Sequence, residues 1–355
     1  MKNSVIIRPP SKPTLYQQIA SNIRSVIKKD ISPGHMLASE RNLAKHYSTS
    51  PMTIRKALDL LVDEGLVERK HRLGYIVTDP LAQGEFAIVT RQKVILGEWI
   101  SPFYRMTAQL ISEKIYEYNK NWCSNLHLGR DGAGAVGFQH SLDLLDPDVV
   151  KRLLGVFAFF GIDELAERLQ QKNIPIVGLD RNYGSDFCVF LDKDLFIRES
   201  VRHLRQAGCK TVGLFGATDL SKIFTKYAIE AGLSVQEKWL PFHGKATENN
   251  AYELFMDFWE QQDNHPDGMI ISDEVLAFGV LRAVLHKQIH LPDQLRLISH
   301  SNIGVEFPYH FPVTRYEYDL NQIATAAVDG MIKLVKGQKV KGVSIPGKLV
   351  KGETT

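Results

Sequence analysis

Cysteine is scarce in this sequence, and the three present, Cys123, Cys188 and Cys209, lie far apart. They form neither a disulfide framework nor a CxxC metal knuckle, which fits a reducing compartment. Long apolar runs are missing as well. The longest, "LLGVFAFFGI" at 153 to 162, is too short to cross a bilayer and reads as a buried parallel strand. No secretory leader is legible in the first 20 residues, which Pro9, Pro10 and Pro13 interrupt. The expectation is a cytoplasmic protein with no membrane partner.

Chemistry-bearing patterns are also thin. There is no P-loop, no metal cluster and no acid/base pair at catalytic spacing, so no catalytic residue, metal or cofactor is expected. "GAGAVG" at 132 to 137 satisfies G-x-G-x-x-G, but the dinucleotide fingerprint needs an acid about 20 residues on. Position 157 is Phe, and the stretch reads as a surface loop. His286 and His290 are four apart, yet Pro292 follows and the helix should stop near His286, which argues against a metal pair. "SHS" at 299 to 301 reads as a loop after a strand.

What is there begins with charge. The net charge is only +3, but the first 80 residues hold 13 Lys and Arg against 7 Asp and Glu, and the rest hold 30 against 33. Basic character concentrated at one end suits a domain that meets a polyanion. In "TLYQQIASNIRSVIKKD" Thr14 and Gln17 have capping-box spacing, with Leu15, Ile19, Ile23, Val26 and Ile27 as an apolar stripe. Ser39 can cap a short second helix running to about Tyr47. In "SPMTIRKALDLLVDEG", 50 to 65, Ser50 caps, Pro51 suits the first turn and Gly65 the left-handed stop, while Ile54, Ala57, Leu58, Leu61 and Val62 form the buried stripe. The exposed Thr53, Arg55 and Lys56 come early and the acids late, the reverse of what the helix dipole favours. Cations at a helix start point to an external anion. "LVERKHRLGYIV" then reads as a hairpin whose basic tip includes Arg72 and Gly74.

Three helices and a basic hairpin make a winged helix-turn-helix, in which the start of the third helix faces base edges of double-stranded DNA. "LASERNLAKHYSTSPMTIRKALDLLVDEGLVERKHRLGYIV" resembles the DNA-binding domain of GntR-type transcription regulators (L-P-S-E-R-x-L-A, V-S-R-x-T-V-R-x-A-L, G-L-V, a Gly-tipped wing). The resemblance implies operator contacts from Ser39, Arg41, Ser50, Thr53, Arg55 and Gly74. Pro51 stands where that family usually has a DNA-contacting Arg, and Ala38 where it has Pro.

Beyond a linker at 79 to 86, short strand-like runs ("FAIVT", "CSNLHL", "GVFAFF", "IPIVGLD", "TVGLFG", "GMIIS", "LRLISH") alternate with amphipathic stretches at 103 to 119, 163 to 172, 194 to 207, 250 to 262 and 275 to 287. The pattern predicts an α/β region, 87 to 355, of two doubly wound parallel-sheet lobes with a ligand at the strand carboxyl ends. "SPFY", "IPIVGLDRN", "SDEVLAFG", "HLPDQLRLIS" and "FPVTRYEYDLNQIATAAVDGMIKLV" resemble, in order, motifs of the LacI-type regulator core and the related periplasmic sugar-binding proteins. That resemblance implies a sugar stacked on Phe103 and Tyr104 and hydrogen-bonded by Asp180, Arg181, Asp273 and Glu274. Ser301 replaces the family's ligand Asp, and Lys222 and Lys226 are the nearest cations to a usual Arg. The expected protein is a homodimeric regulator, a repressor, that binds operator DNA under control of a small ligand, most simply a monosaccharide. The rival reading is a sugar- or nucleotide-processing α/β enzyme with a DNA-binding head.

Overall fold

The computed structural model describes residues 13 to 355 except 32, 79–83, 92–100, 132–137, 140–143, 145, 151, 160–162, 183, 217, 242–246 and 262–263. The glycine-rich "GAGAVG" and most of the expected linker lie outside the described residues. Two compact units emerge, one of residues 1–85 with 143–154, the other of 86–142 with 155–355.

In the first unit, α1 (Leu15–Asp30), α2 (Glu40–His46) and α3 (Pro51–Asp63) precede an antiparallel hairpin of β1 (Val67–Lys70) and β2 (Gly74–Val77). Each boundary has a local cause. The backbone N–H of Thr14 donates to Gln17 Oε1 at 2.8 Å, the Ser39 hydroxyl accepts from Asn42 N at 3.3 Å and the Ser50 hydroxyl from Thr53 N at 3.2 Å. Such caps contribute about 1 kcal/mol each. Gly65 follows α3 at φ +68°, a left-handed conformation that a side chain would strain. Ile54, Ala57, Leu58 and Leu61 of α3 are fully buried and meet Ile19, Ala20, Ile23 and Ile27 of α1 in one core. The expected stripe of α1 is corrected at its edge. Leu15 and Val26 are exposed, because the buried face turns toward Ala20 and leaves them on its margin.

The second unit holds two sheets. A seven-stranded sheet has the order β13-β8-β7-β6-β3-β4-β5, and a five-stranded sheet the order β14-β12-β11-β10-β9. The first comprises β3 (Gly84–Arg91), β4 (Trp122–Asp131), β5 (Phe138–Gln139), β6 (Leu153–Ala158), β7 (Ile176–Leu179), β8 (Phe187–Leu191) and β13 (Val343–Ile345). The second comprises β9 (Val212–Phe215), β10 (Gly268–Ile271), β11 (Arg296–Asn302), β12 (Thr314–Tyr318) and β14 (Lys348–Val350). Strand β6 pairs in parallel with β7, β7 with β8, and β9 to β12 pair in parallel along the second sheet. Buried on both faces, these strands are nearly continuous apolar runs, which is why they were legible. The chain passes between the sheets between Leu191 and Lys193, between Tyr318 and Leu320, and between Ile345 and Lys348. All five expected amphipathic helices form, among them Pro102–Tyr118, Lys193–Gln206 and Glu274–His286. "SHS" is corrected: Ser299 to Ser301 belong to β11, where parallel pairing with β12 continues through Asn302 opposite Tyr318.

Candidate functional site

The first unit presents a groove of about 650 Å³ between the start of α2, one face of α3 and the wing hairpin. Of the residues expected to contact DNA, it gathers Ser39, Arg41, Arg55, Arg72 and Gly74 along its walls. Ser50, Thr53 and Lys56 lie on the leading turns of α3, outside that lining. Ser50 and Thr53 hydroxyls are 2.9 Å apart, so both are engaged in capping. The wing turn, His71 to Leu73, places Arg72 at φ +64° and Gly74 at φ +107°, with the Arg72 side chain exposed.

Sequence reasoning missed the acid in this groove. Glu40, the first residue of α2, accepts Arg55 Nε at 3.1 Å and Nη2 at 2.7 Å on its two oxygens. The Tyr75 hydroxyl of the wing donates to the same carboxylate at 3.1 Å. The Arg55 hydrogen bond, opposed by partial burial and aided by Tyr75, holds the Glu40 carboxyl below the usual range. A fork-to-fork arginine–carboxylate pair fixes both side chains. The fifteen-residue separation of Glu40 and Arg55 gives no local signal for it.

In the second unit the expected effector residues fall at strand ends and helix starts, where alternating α/β sheets hold ligands. Asp180 follows β7 at φ +66° and accepts Lys193 Nζ at 2.8 Å, while its Oδ1 is buried with no partner among the described residues. Arg181, exposed, reaches to 4.0 Å from Asp219. Asp273 caps the helix Glu274–His286 through Val275 N at 2.8 Å. Burial, then the neighbouring Glu274, pushes the Asp273 carboxyl up to about 6. Glu274 is 1% exposed and accepts His300 Nδ1 at 3.0 Å and the Ser101 hydroxyl at 3.0 Å. Burial opposes its charge, but the His300 and Ser101 bonds prevail and hold its carboxyl below the ordinary range.

Among the described residues, polar links from Asp180 to Lys193, Arg181 to Asp219 and Ser101 to Glu274 join the two lobes. The aromatic pair is divided. Phe103 is buried and packs edge-on against Phe159 and Tyr104, and Tyr104 is half-buried. Ser301 is fully buried with its hydroxyl directed at the Asn302 carbonyl, 3.4 Å away. Residues that sequence reasoning missed stand beside these. Thr90 Oγ1, His300 Nε2 and both amide atoms of Asn302 are buried at strand ends with no hydrogen-bond partner among the described residues. His286 ends its helix as expected and stacks on Tyr252. Among the described residues no His, Cys, Asp and Glu cluster suits a metal, and no helix is long and apolar enough to cross a membrane.

Comparison with known proteins agrees with this geometry. Residues 15–77 match the family of bacterial regulatory proteins, gntR family, and residues 201–355 a periplasmic binding protein-like domain. The chain is 23% identical over 343 residues to the arabinose metabolism transcriptional repressor of Halalkalibacterium halodurans, covering 92% of this chain and 90% of that protein. It is 26% identical over 273 residues to the sucrose operon repressor of Pediococcus pentosaceus, covering 74% and 80%. A LacI family transcriptional regulator from Arthrobacter sp. FB24, solved in complex with lactose, superposes with a TM-score of 0.62 at 18% identity over 77% of this chain and 99% of that one. The lac repressor dimer bound to operator and an anti-inducer gives 0.61 at 15% identity over 77% and 94%. The chain thus carries a GntR-family helix-turn-helix domain joined to a periplasmic-binding-protein-like domain with the fold of LacI-family regulators.

Proposed function

We propose that the protein is a cytoplasmic, non-enzymatic transcriptional repressor whose N-terminal domain binds operator DNA as a homodimer and whose two-lobed domain senses a monosaccharide. The observation that carries this reading is the groove that sets Arg41, Arg55 and Arg72 between a capped helix start and a basic wing. Helix starts and basic wings supply phosphate contacts, and an arginine facing the major groove reads guanine. Ser39, Ser50, Thr53, Lys56 and Gly74 complete the contact set, with 79 to 86 as the linker. The names of the relatives, arabinose and sucrose repressors, support a carbohydrate effector. Its hydroxyls are matched by the unpartnered Asp180 Oδ1 and Asn302 amide, and its ring by Tyr104. A ligand in the cleft exchanges the three lobe-to-lobe links for its own contacts and so shifts the lobe equilibrium, to which DNA affinity is linked.

Selection of duplexes from a randomised pool by the full-length chain tests the DNA-binding half. An enriched sequence bound with steep salt dependence is expected, and salt-insensitive or sequence-blind retention would sink it. Thermal shift against a panel of monosaccharides headed by arabinose tests the sensor. Asp180→Ala should abolish the shift, and an unchanged shift would place the ligand elsewhere.

A further inference from the structure

The DNA-reading role proposed for the N-terminal unit raises a question that the groove answers: how a long, flexible arginine is aimed. A guanidinium has five N–H donors in a planar fork. Arg55 spends its Nε and one Nη2 donor on Glu40, side-on, at 3.1 and 2.7 Å. The donors left over are those of Nη1 and the second of Nη2, which together form the end edge of the fork. That edge is a bidentate match for O6 and N7 of guanine. The Arg55 side chain is 44% exposed and that of Glu40 19%, so the acid sits behind and the arginine in front.

Glu40 is itself held. Tyr75, buried in the wing, donates its hydroxyl to the carboxylate at 3.1 Å, and the Arg69 guanidinium lies 5.9 Å from the Tyr75 ring. The carboxylate therefore ties α2, α3 and the wing to one another through charge-assisted bonds. It also cancels the charge of Arg55. A cation that neutralises phosphate adds to the salt dependence of binding, whereas a neutral pair does not. The other cation of α3, Lys56, has no ion pair among the described residues and is exposed, so the two cations of this helix are built for different tasks.

We propose that Glu40 is a positioning residue for base recognition: anchored by Tyr75, it presents the Nη1/Nη2 edge of Arg55 to a guanine and removes the pair from sequence-independent phosphate attraction. This inference rests on the reading of the unit as a DNA-binding domain, and its test separates the two. Full-length wild-type chain, Glu40→Gln, Tyr75→Phe, Arg55→Ala and Lys56→Ala are titrated with the duplex that the wild type selects from a randomised pool. Each is also titrated with single-guanine replacements of that duplex and with unselected duplex, across a salt series.

Glu40→Gln should lose about tenfold or more in discrimination at one guanine, as Arg55→Ala does. At the same time it should bind unselected duplex more tightly, with a salt slope steeper by up to about 0.9 because an unpaired guanidinium is released. Tyr75→Phe, which keeps the carboxylate and the ring, should lose a smaller part of the same discrimination. Lys56→Ala should weaken selected and unselected duplex alike and flatten the slope. The proposal is overturned if Glu40→Gln keeps both wild-type discrimination and wild-type salt slope. It is equally overturned if Glu40→Gln and Tyr75→Phe weaken both duplexes by one common factor, which is the mark of a damaged fold. A wild-type chain that enriches no sequence would overturn the DNA-binding reading and this role with it, whereas a wild type that discriminates beside an indifferent Glu40→Gln overturns this role alone.

Discussion

In the N-terminal groove Arg41 and Arg72 stand open to solvent beside the Glu40 carboxylate, whereas in the second unit Asp180 and Glu274 are buried or nearly so, each held by a partner from the other lobe. On the proposed function, the difference follows from what each surface is built to meet. A phosphate polymer is met from outside, by charges that need little organisation beyond a common face. A small neutral ligand must be enclosed, so its partners are desolvated and are tolerable only when other groups compensate them. On that proposal, charge on the groove sets affinity, and charge in the cleft sets stability and shape together.

The largest expected effect that separates the two regions is at Glu274. Glu274→Ala leaves His300 and Ser101 buried without their acceptor and should cost about 3–5 kcal/mol in denaturant unfolding of the second unit. A loss no larger than that of an ordinary surface change would mean that the cleft carboxylate is solvated as the groove charges are. Arg55→Ala, by contrast, breaks a pair that is partly exposed, so it should disturb unfolding far less than Glu274→Ala and register mainly in DNA discrimination.

A pH profile sharpens the comparison. Asp273 is pushed up to about 6 from the ordinary 3.8, so it holds its proton more tightly folded than unfolded. Its contribution to stability is therefore present below about pH 4 and is lost as pH rises through about 6. Glu274 runs the other way: its lowered carboxyl contributes above the ordinary carboxylate range, and that contribution is lost as pH falls. Asp273→Asn retains a capping side chain while removing the titration. The variant should gain stability relative to wild type between pH 4 and pH 7 in thermal unfolding; a constant difference across that range would show that Asp273 is not desolvated. The smallest effect expected is at Val26 of α1. Val26→Ser should change stability by no more than about 0.5 kcal/mol, because its side chain is exposed. A change of several kcal/mol would restore it to the core stripe.

The two regions also differ in how far they could be read from the sequence. The helices of the first unit are specified within a few residues by Thr14, Ser39, Ser50, Pro51 and Gly65, and the apolar period of α3 marks its buried face. Strands β6, β7, β9 and β10 were legible as unbroken apolar runs for the same reason of locality. What was not legible depends on distance along the chain. The acceptor for Arg55 lies 15 residues away, and the bond that joins Ser101 to Glu274 spans 173. Nothing local to Glu274 or Phe103 signals that the first bonds Ser101 of the other lobe or that the second packs against Tyr104. Strand β8, whose "FCVFL" is short, and β12, whose Tyr316 and Tyr318 alternate with charged residues, carried too weak a pattern to stand out.

The central claim is that occupancy of the cleft and occupancy of DNA are linked in one chain. It is tested most directly by titrating the selected duplex with full-length protein in the absence and in the saturating presence of the monosaccharide that gives the largest thermal shift. The account predicts a change in DNA affinity of about fivefold or more, abolished by Asp180→Ala. Identical titration curves with and without that sugar would contradict it.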